Sequence, residues 1–156
     1  MIKAKDIMTK GVITVNPDTE IIQAAKLMLD NHLSGLPVID KKGHLKGIIC
    51  QSDLMALQKK IPLPSFFVIL DSALSFTSQK NIEAEVKKMA ASKVSDAMTP
   101  DPMTVDPETS LEDIATLMVK RNIHTLPVLD HGELVGIIGK EDVLRTLMPA
   151  QKKEPV

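Results

Sequence analysis

The sequence predicts an α+β fold: two β-α-β-β-α repeats packed about a pseudo-two-fold axis, with a helical insert between them. Three observations predict it. Residues 5–54 recur at 95–143 with the same signals in the same order. Within each copy the apolar residues switch between helical and extended spacing. One copy alone, on the order of 50 residues, buries too little apolar surface to be comfortable by itself, so the copies are expected to share a core and to leave clefts between them. The boundaries read from this are repeat 1 at 1–58, an insert at 59–93, repeat 2 at 94–149 and a disordered tail at 150–156.

Each copy opens with a short apolar stretch ending in Thr-Val, Ile13-Thr14-Val15 and Met103-Thr104-Val105, followed by Asn/Asp-Pro. Pro17 and Pro107 fix φ and end any extended segment. Thr19 and Thr109 stand where a helix N-cap belongs, with acidic residues nearby to suit the positive end of the helix dipole. Ile21, Ala24, Ala25 and Met28, and in the second copy Leu111, Ile114, Ala115 and Met118, recur at i, i+3, i+4 and i+7, the period of an amphipathic helix. Leu36-Pro37-Val38-Ile39 and Leu126-Pro127-Val128-Leu129 then read as short buried strands. Turns at Lys42-Gly43 and His131-Gly132 lead to second strands ending at Ile48-Ile49 and Ile137-Ile138, so each pair is expected to form a hairpin. Lys42 has no counterpart in the second copy. A closing helix is expected from near Ser52 and near Lys140, with Asp53 and Asp142 in its first turn.

The insert resembles neither copy. Pro62 and Pro64 block regular helix; Phe66, Phe67, Ile69, Leu70, Ala73 and Leu74 fall near helical spacing, and a second helical stretch follows Asn81. All three aromatic residues, Phe66, Phe67 and Phe76, lie here. They either pack over the repeat core or form a contact with a second copy or a partner.

Composition narrows the function classes. The net charge of −1 is spread along the chain, which indicates no phosphate-neutralising face and argues against nucleic acid as a partner. The single cysteine, Cys50, allows no internal disulfide framework and suits a reducing, cytoplasmic setting. The N-terminus carries no apolar signal core, and the longest apolar run, Phe66 to Leu70, is far short of a membrane span. Four histidines (32, 44, 124 and 131) without ligand-like spacing argue against a metal site. Cys50 reads as a small buried thiol rather than a redox centre. No nucleophile setting or phosphate-binding glycine loop is present, so an enzyme is not expected. Met28 and Met118, at equivalent helix positions, read as core filling.

The repeated unit resembles a cystathionine β-synthase (CBS) domain, and the pair resembles a Bateman module. The resemblance rests on D-x-M-T (Asp6–Thr9; Asp96–Thr99), the Thr-Val stretch, the small-x-Leu-Pro-Val strand and the G-I-I-x-x-x-D end (Gly47–Asp53; Gly136–Asp142). No single motif is specific; their order, repeated twice, is. It implies a stand-alone regulatory module that senses an adenine nucleotide (AMP, ADP or ATP) in the inter-repeat cleft, signals in trans to a protein partner and forms a homodimer, with no cofactor required. The alternatives are a ligand-free interaction module using the Phe-rich insert, or a sensor of S-adenosylmethionine or a cyclic dinucleotide.

Carried over residue by residue, one site would use Thr99, Thr104, Ile123, His124 and Thr125 with Cys50, Ser52 and Asp53. Its twin would use Thr9, Thr14, Leu33, Ser34 and Gly35 with Gly139, Glu141 and Asp142. The chemistry is consistent. A carboxylate at a helix start can accept both hydroxyls of a ribose, free N–H groups beside it can meet a phosphate, and Ile13, Met103, Ile123 and Val128 could sandwich a base. The bland alternative is that each Asp simply stabilises its helix. The sequence departs from the family where a hydroxyl is expected: Cys50 and Gly139 stand there instead. Phosphate partners are few (Lys120, Arg121 and Lys140), and Glu141 adds negative charge. The site ending at Asp53 is therefore expected to be the better of the two.

Overall fold

The computed structural model describes residues 1–60 and 92–148, with the backbone alone for 58–60. Residues 61–91 of the expected insert, with its three phenylalanines, and the expected tail at 150–156 lie outside the described residues, whereas α3 carries residues 59 and 60 of that insert. Each copy contains the helix, hairpin and second helix in the expected order. The elements are α1 (Ala4–Ile7), α2 (Ile21–Asp30), β1 (Gly35–Ile39), β2 (Leu45–Cys50), α3 (Gln51–Lys60), α4 (Val94–Ala97), β3 (Thr99–Pro100), α5 (Leu111–Arg121), β4 (Thr125–Asp130), β5 (Glu133–Gly139) and α6 (Lys140–Arg145).

The chain divides into two compact units that cross the sequence copies. The first is Thr14–Asp101; the second joins Met1–Ile13 to Pro102–Val156. In the first, β1 pairs antiparallel with β2 (Leu36 opposite Ile49, Val38 opposite Gly47), and β3 adds to the far side of β2 with Thr99 opposite Ile48. In the second, β4 pairs with β5 in the same way, and Thr9 takes the place of β3 by exchanging two backbone hydrogen bonds with Ile137, at 2.8 and 3.1 Å. The D-x-M-T segment of each copy therefore packs on the hairpin of the other.

Packing explains why the motifs recur. A Cβ added at Gly136 would stand 2.5 Å from the sulfur of Met8, and one at Gly47 would stand 2.8 Å from that of Met98. The glycine opening G-I-I is thus the seat for the methionine of D-x-M-T. Asp6 and Asp96 close the local turn: Oδ2 of each accepts the backbone N–H of Lys3 or Lys93, at 2.8 and 2.9 Å. In the second unit the segment is also held by Lys3 and Lys5, which both donate to Glu108, Lys5 at 2.6 Å. These exposed contacts draw the Glu108 carboxyl down to about 2.

The expected first strand is reduced to one parallel bridge per copy, Val15 to Val38 and Val105 to Val128. Proline is the reason. Val15 donates to the Pro37 carbonyl at 3.1 Å and accepts from the Ile39 N–H at 2.9 Å, as Val105 does with Pro127 and Leu129. The next rung toward the N-terminus would need a donor on the proline ring nitrogen. The threonines expected as N-caps do another job. The hydroxyl of Thr19 accepts from the Asn16 N–H and that of Thr109 from the Asp106 N–H, each at 3.1 Å, closing the turn at Asn/Asp-Pro. The caps fall one residue later, at Glu20 and Ser110, and only Ser110 accepts from its helix, from Asp113 N–H at 3.2 Å.

The helical period reads correctly onto burial. Ile21, Ala24 and Met28 face the core of the first unit; Ile114 and Met118 face that of the second. Leu36 and Val38 in one hairpin and Leu126, Val128 and Ile138 in the other are fully buried. Each such aliphatic side chain contributes about 1.5–3 kcal/mol of transfer free energy. The two hairpin loops differ by the residue at Lys42. His131 and Gly132, at φ 50° and 82°, make a two-residue turn of the mirror-image type that matches strand twist. Asp40 to His44 instead spans three residues, with Gly43 at φ 82° as the left-handed position.

Candidate functional site

The site-forming geometry begins where the second strand of each hairpin runs into its helix. At Cys50 the chain turns from β2 into α3, and Asp53, in the first turn of α3, folds back so that Oδ2 accepts the Cys50 N–H at 2.7 Å. The next N–H, of Gln51, donates to the carbonyl of Ser34 at 3.0 Å, and the Gln51 side chain donates to the carbonyl of Leu33 at 3.1 Å. Gly35 lies opposite Cys50 across the hairpin, and Thr99 pairs two residues upstream with Ile48. The first unit thus gathers Leu33, Ser34, Gly35, Cys50, Ser52, Asp53 and Thr99 at one end of its sheet.

The second unit repeats the construction. Asp142 Oδ2 accepts the Gly139 N–H at 2.8 Å, the Lys140 N–H donates to the His124 carbonyl at 3.0 Å, and Thr125 lies opposite Gly139. Thr9 pairs with Ile137 two residues before Gly139. Gathered here are Thr9, Ile123, His124, Thr125, Gly139, Glu141 and Asp142. Each expected set thus takes its carboxylate and early threonine of D-x-M-T from one unit: Asp53 with Thr99 in the first, Asp142 with Thr9 in the second. Its strand residues and Thr104 or Thr14 belong to the other unit.

Two expectations need correction. The N–H groups beside each carboxylate are not all free: those of Cys50 and Gln51, and of Gly139 and Lys140, are engaged within the unit. The donors left in the first turn of α3 are the N–H groups of Ser52 and Asp53. Val128 is fully buried in the core of its unit and has no surface to offer a base, whereas Met103 is exposed and Ile13 and Ile123 are half-buried. Thr14 and Thr104 behave alike. Each precedes a valine whose backbone groups bond to the Leu-Pro strand. Their own N–H and carbonyl point the opposite way and have no partner among the described residues. The sequence alone singles out these threonines but not this feature of their backbone. The signal was present in the proline two residues into each Leu-Pro strand.

The carboxylates differ electrostatically. Burial pushes the Asp53 carboxyl up from its ordinary value, partly offset by the Cys50 N–H, and among the described residues no cation pairs with it. Asp142 has Arg145 at 3.4 Å, and Arg145 also reaches Glu141 at 3.5 Å. Burial, together with the Asp53 charge, raises the Cys50 thiol to about 11, so Cys50 is a neutral thiol at physiological pH. A groove of about 650 Å³ in the second unit is lined by Thr104 and by two of the expected phosphate partners, Lys120 and Arg121, but by no other expected site residue; it runs along Asp113, Thr116 and Lys120 of α5. Among the described residues no group of three His, Cys, Asp or Glu side chains could hold a metal ion, and no helix is long and apolar enough to cross a membrane.

Comparison with known proteins settles the family. The CBS-domain family model matches residues 4–60 and 94–149. This chain belongs to the CBS-domain family. It is 34% identical over 153 residues to the uncharacterised protein MJ1426 of Methanocaldococcus jannaschii, covering 92% of this chain and 90% of that protein. The crystal structure of CBSX2 of Arabidopsis thaliana in complex with AMP superposes with a TM-score of 0.70 at 29% identity, over 94% of this chain and 96% of that one. The CBS domain pair of MJ0100, in complex with 5′-methylthioadenosine and S-adenosylmethionine, gives a TM-score of 0.70 at 25% identity over the same shares. The chain is a CBS pair, the kind of module that in CBSX2 and MJ0100 is seen in complex with adenosine-containing ligands.

Proposed function

We propose that this CBS pair is a regulatory sensor of an adenine nucleotide, with Asp53 accepting the ribose hydroxyls. The observation that carries the reading is the state of Asp53: half-buried, fixed through one oxygen, and without a cation on the other among the described residues. A carboxylate that has lost water without gaining a counter-charge gains most from two hydroxyl donors. Ser52 and Thr99 supply neutral hydroxyls in the same unit. The N–H and carbonyl of Thr104 are of the kind that reads an adenine edge, and Cys50, Ile123, His124 and Thr125 complete the set. The twin set of Asp142, Thr9, Thr14, Leu33, Ser34 and Gly35 is weaker, because Arg145 already occupies its carboxylate. CBSX2 with AMP and MJ0100 with S-adenosylmethionine support the adenosine moiety without choosing the group attached to it. The output is a shift in conformation read by a protein partner, and it requires a ligand that binds the two conformations with different affinity.

Titration calorimetry with AMP, ADP, ATP, S-adenosylmethionine and cyclic di-AMP tests this. Binding of at least one mononucleotide is expected, and Asp53→Ala should weaken it at least ten-fold, about 1.4 kcal/mol. Asp142→Ala loses the same backbone contact and serves as the control, with a smaller effect. If no ligand binds, the sensor reading fails and an interaction module takes its place. If Asp53→Ala binds as wild type does, the site is elsewhere.

A further inference from the structure

We infer that Gly47 is a positioning residue for Thr99. This rests on the reading of Asp53 and Thr99 as one ligand-binding set, and it adds what holds them in register. Thr99 is exposed, and its place beside β2 depends on a pairing of only two residues, Gly47 with Pro100 and Ile48 with Thr99. At this point β2 has no side chain in the way. A Cβ at Gly47 would lie 2.8 Å from the Met98 sulfur and 2.8 Å from the backbone carbonyl oxygen of Thr99. The sulfur ends a flexible side chain and can swing aside. The carbonyl oxygen cannot move without its peptide, so any side chain at 47 must push Thr99 itself away from the strand that leads to Asp53.

The equivalent glycine makes the contrast. The three nearest neighbours of a Cβ at Gly136 all belong to the Met8 side chain, at 2.5, 2.8 and 3.0 Å. At Gly136 the methionine side chain is met first; at Gly47 the Thr99 carbonyl oxygen is met as soon as the methionine sulfur. Glycine at 47 is required for close approach rather than for an unusual backbone angle, since its φ is not in the left-handed region.

The test combines AMP titration with amide exchange at Ile48 and Thr99 in the full chain. Gly47→Ala is expected to weaken AMP binding about ten-fold or more and to speed exchange at both amides. Ile48→Val, a core truncation in the same strand, should lower stability and leave AMP affinity within about two-fold, which separates positioning from general loosening. Adding Met98→Ala to Gly47→Ala relieves the sulfur contact alone. The double variant should therefore not regain affinity; full rescue would show that methionine packing, not Thr99, is the limit and would overturn the inference. Gly47→Ala with wild-type affinity and wild-type exchange would overturn it too. If wild type binds no AMP, the sensor reading has failed, and exchange at Thr99 then decides the positioning claim alone.

Discussion

The two compact units descend from one sequence pattern, yet they treat equivalent carboxylates differently. In Thr14–Asp101 the carboxyl of Asp53 sits at the start of a ten-residue helix, half-buried, and burial raises its pKa. In the other unit Asp142 begins a six-residue helix and meets Arg145 one turn on. The attached segments diverge in the opposite sense: Glu108 is gripped by two lysines in the second unit, whereas among the described residues its counterpart in the first, Asp18, meets Lys93 at 3.5 Å. Duplication has preserved backbone geometry and core, because those must satisfy the same packing in both units. Exposed charges carried no such constraint and drifted into different chemistry.

The sharpest way to break this comparison is to attack the shared part. Leu36 and Leu126 are both fully buried at equivalent strand positions. Leu36→Ala and Leu126→Ala should each cost about 3 kcal/mol in urea unfolding, and by similar amounts. A difference of more than about 1.5 kcal/mol would mean that the two cores are not packed alike.

The charges should show the divergence through pH. Asp53 has a folded pKa above its unfolded value, so the native state holds the proton more tightly. Its ionisation lowers stability as pH rises from 3.8 toward the raised value. Asp53→Asn should therefore match wild type in acid and gain on it above that window. Glu108 works in the other direction. Its folded pKa lies near 2 against an ordinary 4.5, so its stabilisation is present above 4.5 and disappears as pH falls toward 2. Glu108→Gln should be the less stable protein near neutrality and converge with wild type in acid. Urea midpoints between pH 2.5 and 7 check both signs, and parallel curves for the two variants would refute the contrast.

The smallest effect concerns the hairpin loops. Deleting Lys42 and placing Asn at Lys41 should convert the first loop into the two-residue turn of His131-Gly132, because Asn accepts the left-handed conformation that the turn needs. Stability should change by about 0.5 kcal/mol or less. A larger loss would show that the extra residue serves Asp40, whose carboxylate accepts from the N–H groups of Lys42 and His44 at 2.9 Å each.

Much of the fold was legible because it is local. The period of Ile21, Ala24 and Met28, the glycines of both hairpin turns and the Asp in the first turn of each closing helix depend on neighbours a few residues away. The same locality limited the site. Asp53 and Asp142 were identifiable as helix-start carboxylates, but which of them carries a counter-charge depended on the rotamer of Arg145. Thr19 and Thr109 were misplaced as caps because a hydroxyl that can cap a helix can equally close the preceding turn.

By itself, the sequence determined the family, the repeated order of elements, the core positions and the residue types at each helix start. Only the tertiary structure decided which copy's D-x-M-T segment lies on which hairpin, what a side chain at Gly47 or Gly136 would meet, and that Asp53 is left without a cation among the described residues. Periodicity and turn chemistry act over a few residues and are written in the order of the chain. The pairing of Met8 with Gly136 and of Met98 with Gly47 joins residues far apart in that order, and only the folded chain brings them together.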